Sequence, residues 1–173
     1  QLTRLRKWII KESLNYFKSK IIFLNQNLVR DSGVSDKHSD RFIILHNGVD
    51  SQLFNNKNLN ETKKSEIIFT GNIHRFNEDR GLRFIIDSFL NHKMPDEYKL
   101  KIIGWPVEQI HELQNFVDRV NLNHRISIIE KLDRKSTISH IQNSNIGLLI
   151  NSSTDEHSLK HTSPLKYFEY LFG

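Results

Sequence analysis

Apolar residues recur along this chain in short blocks, each followed by a stretch with helical spacing. The segments EIIFTG, YKLKIIG, HRISIIEKL and NIGLLIN are near-continuous apolar runs, the pattern of strands buried on both faces. Each leads into a helical or polar segment: GLRFIIDSFLNH, PVEQIHELQNFVDRVN, DRKSTISHIQN and the closing SPLKYFEYLFG. In the second of these, Ile110, Leu113, Phe116, Val117 and Val120 fall at helical spacing. Upstream, the pattern predicts a basic amphipathic helix over residues 2–19, the strand KIIFLN, a short helix near 27–32, and RFIILHNGVD as a strand entering an Asn47-Gly48 turn. Residues 51–64, Asn- and Lys-rich and polar, read as a linker. Strand and helix alternating in this way predict an α/β fold with right-handed βαβ units around a parallel sheet. Phe69, Phe84 and Phe89 are expected in its core.

Composition narrows the partners rather than the fold. Hydrophobic residues make up 37% and charged residues 26% of 173, which is globular rather than disordered. No run is long enough to cross a bilayer, and the first ten residues lack the layout of a signal peptide. Cysteine is absent, which excludes disulfides and thiolate metal sites and leans towards the cytoplasm. A net charge of +5 suits an anionic partner: nucleic acid, anionic lipid or a phosphorylated small molecule. The aromatic residues form no recognisable stacking platform, so nucleic acid ranks last of these. Arg4, Lys7, Lys11 and Lys18 follow one side of the first helix. That helix reads as an ordinary packed element with a solvated basic face, or as an interfacial helix for anionic membrane at its inner face; the first is preferred.

In an open parallel sheet, ligands bind beyond the carboxyl ends of the strands. Here those positions are TGNIHRFNEDRG, IGWPV, EKLDRKS and NSSTDEHSLKHTSP, rich in Arg, Lys, His, Ser and Thr. Helix N-termini reached through such loops favour phosphates. Neither a G-x-G-x-x-G nor a Walker A string is present, so the expected ligand is phosphorylated but is not a dinucleotide on that motif. At the chain's end, Ser163-Pro164 reads as a helix start that presents Lys166 and Glu169 on one face. The plain alternative for that pair is a solvated surface contact. The plain alternative for Trp105 is a cap on the core edge.

Four segments, ILHNGVDSQLF, IIFTGNIHRFNEDRGLRFIIDSF, YKLKIIGWP and NIGLLINSS…SPLKYFEY, together resemble a family 4 glycosyltransferase. The resemblance implies a GT-B fold of two Rossmann-like domains, with this chain incomplete at both ends. Residues 1–50 would close the acceptor domain, 51–64 would link, and 65–173 would form most of the donor-binding domain. It implies transfer of a sugar from a nucleotide-diphosphate-sugar donor to an acceptor hydroxyl, with retention of configuration. The acceptor would be a glycan or a lipid-linked molecule, and no metal or resident cofactor would be needed. Glu169 would accept hydrogen bonds from the ribose hydroxyls. Backbone amides at Ser163, Leu165 and Lys166 would face the diphosphate, with Lys166 adding its charge. Gly71 through Arg80 would form the phosphate loop, with Arg80 in the place of the family's lysine and Arg75 supplying a second cation, because Asn72 stands where an arginine is usual. His161 stands where the family has a sugar-contacting glutamate, with Asp155 and Glu156 further upstream. The Glu130–Leu132 loop would lie near the base. That departure at His161 keeps open a GT-B protein that binds nucleotide sugars without transferring them.

Overall fold

The structure is a computed structural model that describes residues 2–16, 20–34, 40–54, 65–75, 78–150 and 164–173. It divides into two compact units, one built on Gln1–Gly48, with Asn151–Leu165 counted to it, and one on Val49–Ile150 and Lys166–Gly173.

In the first unit, α1 (Leu2–Tyr16) precedes β1 (Ile21–Phe23), α2 (Gln26–Ser32) and β2 (Phe42–Ile44). The two strands pair in parallel, Ile21 opposite Phe42 and Phe23 opposite Ile44. Asn25 caps α2, its side-chain oxygen accepting from Leu28 N at 3.0 Å, and Gly33 ends it at φ 76°. Phe23 and Val29 form the buried centre, with the Phe42 ring edge-on to Phe23. On α1, Arg4, Lys7 and Lys11 are exposed, and so are Leu5, Trp8 and Ile9.

The second unit opens with a 3₁₀ turn, Ser51–Phe54. It then runs through β3 (Glu66–Asn72), β4 (His74–Arg75), β5 (Glu78–Asp79), α3 (Leu82–Leu90), β6 (Lys99–Trp105), α4 (Val107–Arg119), β7 (Ile126–Glu130), α5 (Arg134–Gln142), β8 (Ile146–Gly147) and α6 (Leu165–Phe172). The main sheet has the order β7-β6-β3-β8, parallel throughout. Its central strands are buried along most of their length, so alternation is lost and the sequence shows continuous apolar runs. Ile67, Phe69, Leu100 and Ile102 meet Leu82, Ile86 and Phe89 of α3 and Ile110, Leu113 and Val117 of α4 in one core. Each such side chain contributes about 1.5–3 kcal/mol of transfer free energy.

Three expectations are corrected. Phe84 is 73% exposed rather than in the core, because the buried stripe of α3 runs through Leu82, Ile86 and Phe89 and leaves position 84 on the outer face. The turn lies at Asp50–Phe54 rather than Asn47-Gly48: the Asp50 carboxylate and carbonyl accept from Gln52 N and Leu53 N at 3.0 and 3.1 Å. The strands β2 and β3 on either side do not pair, so the Asn-Gly dipeptide has no hairpin to close. The loop after β3 holds a small antiparallel hairpin, β4 with β5.

The strand expected across residues 145–151 shortens to Ile146–Gly147, and Leu148 N extends the ladder once, to Ile68 O. Beyond that point the Thr70 N–H is met instead by the Tyr170 hydroxyl of α6 at 3.0 Å, which also lies 3.3 Å from Thr70 Oγ1. This bond fixes α6 against the carboxyl end of β3. Replacing Tyr170 with Phe leaves a buried amide unpaired and is expected to cost about 1–3 kcal/mol. Burial pushes the Tyr170 phenol above its ordinary value, with the Thr70 bonds opposing. The neutral phenol is therefore the folded form. Its contribution is complete below the phenol's ordinary range and is lost as pH rises through the folded-state value. Alkaline unfolding of wild type and Tyr170→Phe checks both statements: the wild type should lose stability more steeply, and equal curves would contradict the assignment.

Candidate functional site

Beyond the carboxyl ends of β3, β6 and β7 lies a cavity of about 180 Å³. Each wall follows from a strand ending. β3 contributes Thr70 and Gly71, β6 contributes Ile103 and Trp105, and the β7–α5 connection contributes Lys131 and Leu132. Arg134, Thr137 and Ile138 enter from α5, and Lys166 and Glu169 from α6. Gly71 adopts φ 143°, a conformation that side chains rarely take, and this lets the backbone itself form the wall at that point.

Glu169 is the charged centre. It is only 5% exposed, so the solvated-pair reading does not hold. Its Oε2 accepts from Lys166 Nζ at 2.7 Å, and its Oε1 lies 3.5 Å from Arg134 Nη1. The spacing of three along α6 is what brings Lys166 beside it. Lys131, Arg134 and Lys166 line the cavity together with Glu169, three positive charges and one negative. The Lys131 ammonium stands 5.5 Å from the centre of the Trp105 ring. Trp105 therefore belongs to the cavity rather than serving only as a cap. α5 is placed by Asp133, which accepts from Ser136 N at 3.0 Å and Ser136 Oγ at 2.6 Å; these bonds hold its carboxyl below the usual range. An arrangement with a buried acceptor, an excess of cations and an aromatic wall suits an anionic ligand that also carries hydroxyl groups.

The structure brings Gly71, Lys166 and Glu169 together, with Leu165 opening α6 and exposed. Arg80 does not line this cavity. Its guanidinium donates to Ile150 O and, at 3.4 Å, to Asn72 O, and lies 5.7 Å from the Phe69 ring centre. Asn72 accepts from His74 N at 3.0 Å through its side chain, shaping the start of the hairpin. Arg75 has its backbone in β4, and its side chain lies outside the described part. His161 and Ser163, with Asp155 and Glu156, also lie outside the described residues. Of the Glu130–Leu132 loop, Lys131 and Leu132 line the cavity. Arg134 was not singled out by sequence reasoning, and only its place in the polar EKLDRKS loop hinted at it. Among the described residues, no group of three His, Cys, Asp or Glu side chains could hold a metal ion, and no helix is long and apolar enough to cross a membrane.

No protein-family model and no curated protein matches the chain. Solved structures do. HepE of Anabaena, in complex with UDP and glucose, superposes with a TM-score of 0.51 at 12% identity, over 82% of this chain and 41% of that one. OtsA without ligand gives 0.50 at 20%, over 76% and 34%. TarM of S. aureus, in complex with Fondaparinux, alpha-GlcNAc-glycerol and UDP, gives 0.50 at 14%, over 82% and 27%. The chain thus spans well under half the length of each. At these identities the likeness concerns architecture: the chain has the Rossmann-like α/β fold of the GT-B glycosyltransferases.

Proposed function

We propose that this chain is the nucleotide-sugar-binding part of a retaining, family-4-like glycosyltransferase. The observation that carries this reading is Glu169, buried beside Lys166 in a cationic cavity beyond the strand ends of a GT-B-type sheet. A carboxylate held there can accept from a vicinal ribose diol through charge-assisted bonds. Lys166, the Gly71 backbone and the amides at the start of α6 are suited to the diphosphate. Fixed cations and dipoles stabilise a departing diphosphate without reorganising. Arg80 is assigned to that step from the resemblance, as is the approach of Arg75, Asn72, Ser163, Leu165 and His161 to the donor. HepE and TarM, which share the fold, were each captured with UDP, and this supports a nucleotide in the corresponding place. The division of the chain after Gly48 supports a domain boundary near residue 50; residues 1–50 as closing elements of an acceptor domain, 51–64 as linker and 65–173 as the donor domain belong to the same proposal. A glycan or lipid-linked acceptor, with peripheral membrane contact through α1, belongs to the same proposal, as does a location in the cytoplasm.

The test is incubation of the protein with UDP-, GDP- and ADP-hexoses and an acceptor mixture, followed by NMR of the anomeric proton. The expected result is release of nucleoside diphosphate and a product with the donor's anomeric configuration. An inverted product would contradict retention. Donor binding without release would reduce the assignment to a binding protein.

A further inference from the structure

We infer that Tyr170 is a positioning residue for ligand binding: with Gly147 behind its ring, its bond to the Thr70 amide sets Glu169 at the distance from the Thr70–Gly71 wall that a nucleoside diphosphate needs. The inference rests on the donor-site reading above. It goes beyond that reading by giving a binding role to two residues that do not line the cavity.

The walls of the cavity come from separate elements. Thr70 and Gly71 end β3, whereas Lys166 and Glu169 lie on α6, about a hundred positions later. The spacing of these walls therefore depends on how α6 is held to the sheet. Glu169 and Tyr170 are neighbours on α6, and Lys166 precedes them by three and four positions, so the three share one side of the helix. The Tyr170 hydroxyl accepts from Thr70 N at 3.0 Å, one residue before Gly71. Thr70 is buried, so this bond ties α6 to the strand end at a point shielded from water.

Gly147 gives an independent indication of the same fit. A Cβ at that position would stand 2.3 Å from Tyr170 Cγ, 2.4 Å from its Cδ2 and 2.8 Å from its Cβ. Two of these atoms are the root of the side chain rather than its tip, so a side chain at 147 would push α6 itself. The tyrosine is thus held by a bond at its hydroxyl and by the bare β8 backbone along its ring. Below the ring it packs with Ile68, Ile103 and Ile141.

A displacement of α6 affects its two charged residues differently. The Lys166 ammonium ends a long, flexible stem and its side chain is 30% exposed, so it can follow a ligand. The Glu169 carboxylate is buried on a shorter stem and moves with the helix. Recognition by such a group needs placement to within about 0.5 Å. Loss of the Tyr170 bond should therefore act on binding through Glu169.

The experiment is titration with UDP, GDP and ADP, followed by ligand-observed NMR, for wild type, Tyr170→Phe, Gly147→Ala, Glu169→Ala and the Tyr170→Phe/Glu169→Ala double variant. Thermal unfolding establishes that each is folded at the working temperature. Sucrose, added to every sample alike, restores the folded population of a weakened variant. Tyr170→Phe and Gly147→Ala are each expected to weaken the nucleotide that wild type binds by about 5- to 10-fold, on the scale of one misplaced hydrogen bond. In the Glu169→Ala background, Tyr170→Phe should change affinity by less than about twofold, because residues that act through one another are not additive. Equal losses in both backgrounds would overturn the inference and leave Tyr170 a purely stabilising residue. Full affinity in folded Tyr170→Phe or Gly147→Ala would overturn it too, while leaving the donor site in place. Failure of wild type to bind any of the three would instead overturn the donor-site reading, and this inference with it.

Discussion

Replacing Phe89 with alanine is expected to destabilise the second unit by about 3–5 kcal/mol, the range for removing a buried aromatic ring from a well-packed core. Phe89 is buried on α3 in the cluster formed by Ile67, Leu100, Ile126 and their neighbours. It also has a second role. The Arg125 guanidinium stacks 4.8 Å from its ring centre and spends its N–H groups on the carbonyls of Met94, Pro95 and Tyr98, with Asp96 at 3.4 Å. Arg125 is itself buried, so loss of the ring also removes the floor beneath a desolvated cation. Chemical denaturation followed through Trp105 measures the effect. Phe89→Leu, which keeps most of the volume, should cost less than about 2 kcal/mol. A Phe89→Ala loss below about 1 kcal/mol would mean that the core does not close around this residue.

Replacing Glu169 with alanine is expected to weaken nucleoside diphosphate binding by about 1.5–3 kcal/mol, the range for a hydrogen bond to a charged group. That corresponds to about 10- to 150-fold in affinity. The fold should survive the change. The two cations that Glu169 engages, Lys166 and Arg134, both reach solvent and can be hydrated once the carboxylate is gone. Affinity and stability are therefore expected to separate in this variant, and titration beside thermal unfolding checks that. Unchanged affinity would remove Glu169 from the site. A collapse of stability would recast its ion pairs as structural.

What could be read from sequence follows from how far each residue's partner lies along the chain. The strands β3 and β6 were legible because EIIF and KLKII are buried on both faces and leave an unbroken apolar run. The helix α4 was legible because Ile110, Leu113 and Val117 repeat at helical spacing. Phe84 misled because it precedes Ile85 and Ile86 in a three-residue apolar run, where helical phase cannot be fixed locally. The early end of β8 was hidden because it depends on the Tyr170 hydroxyl, one hundred positions from the Thr70 amide that it meets. The candidate site divides in the same way. Lys166 and Glu169 are three residues apart, so their pairing can be argued from a helix alone. Arg134 is 35 positions from Glu169, and a lone arginine in a polar loop looks the same in sequence whether it is solvated or faces a buried carboxylate.

The central claim is that the cavity beyond β3, β6 and β7 holds a nucleoside diphosphate, and mapping amide chemical shifts while UDP is added tests it most directly. The account predicts saturable shifts clustered at Thr70–Gly71, Lys131–Thr137 and Lys166–Glu169. Saturable shifts confined to other parts of the second unit, or none at millimolar UDP, GDP or ADP, would contradict it.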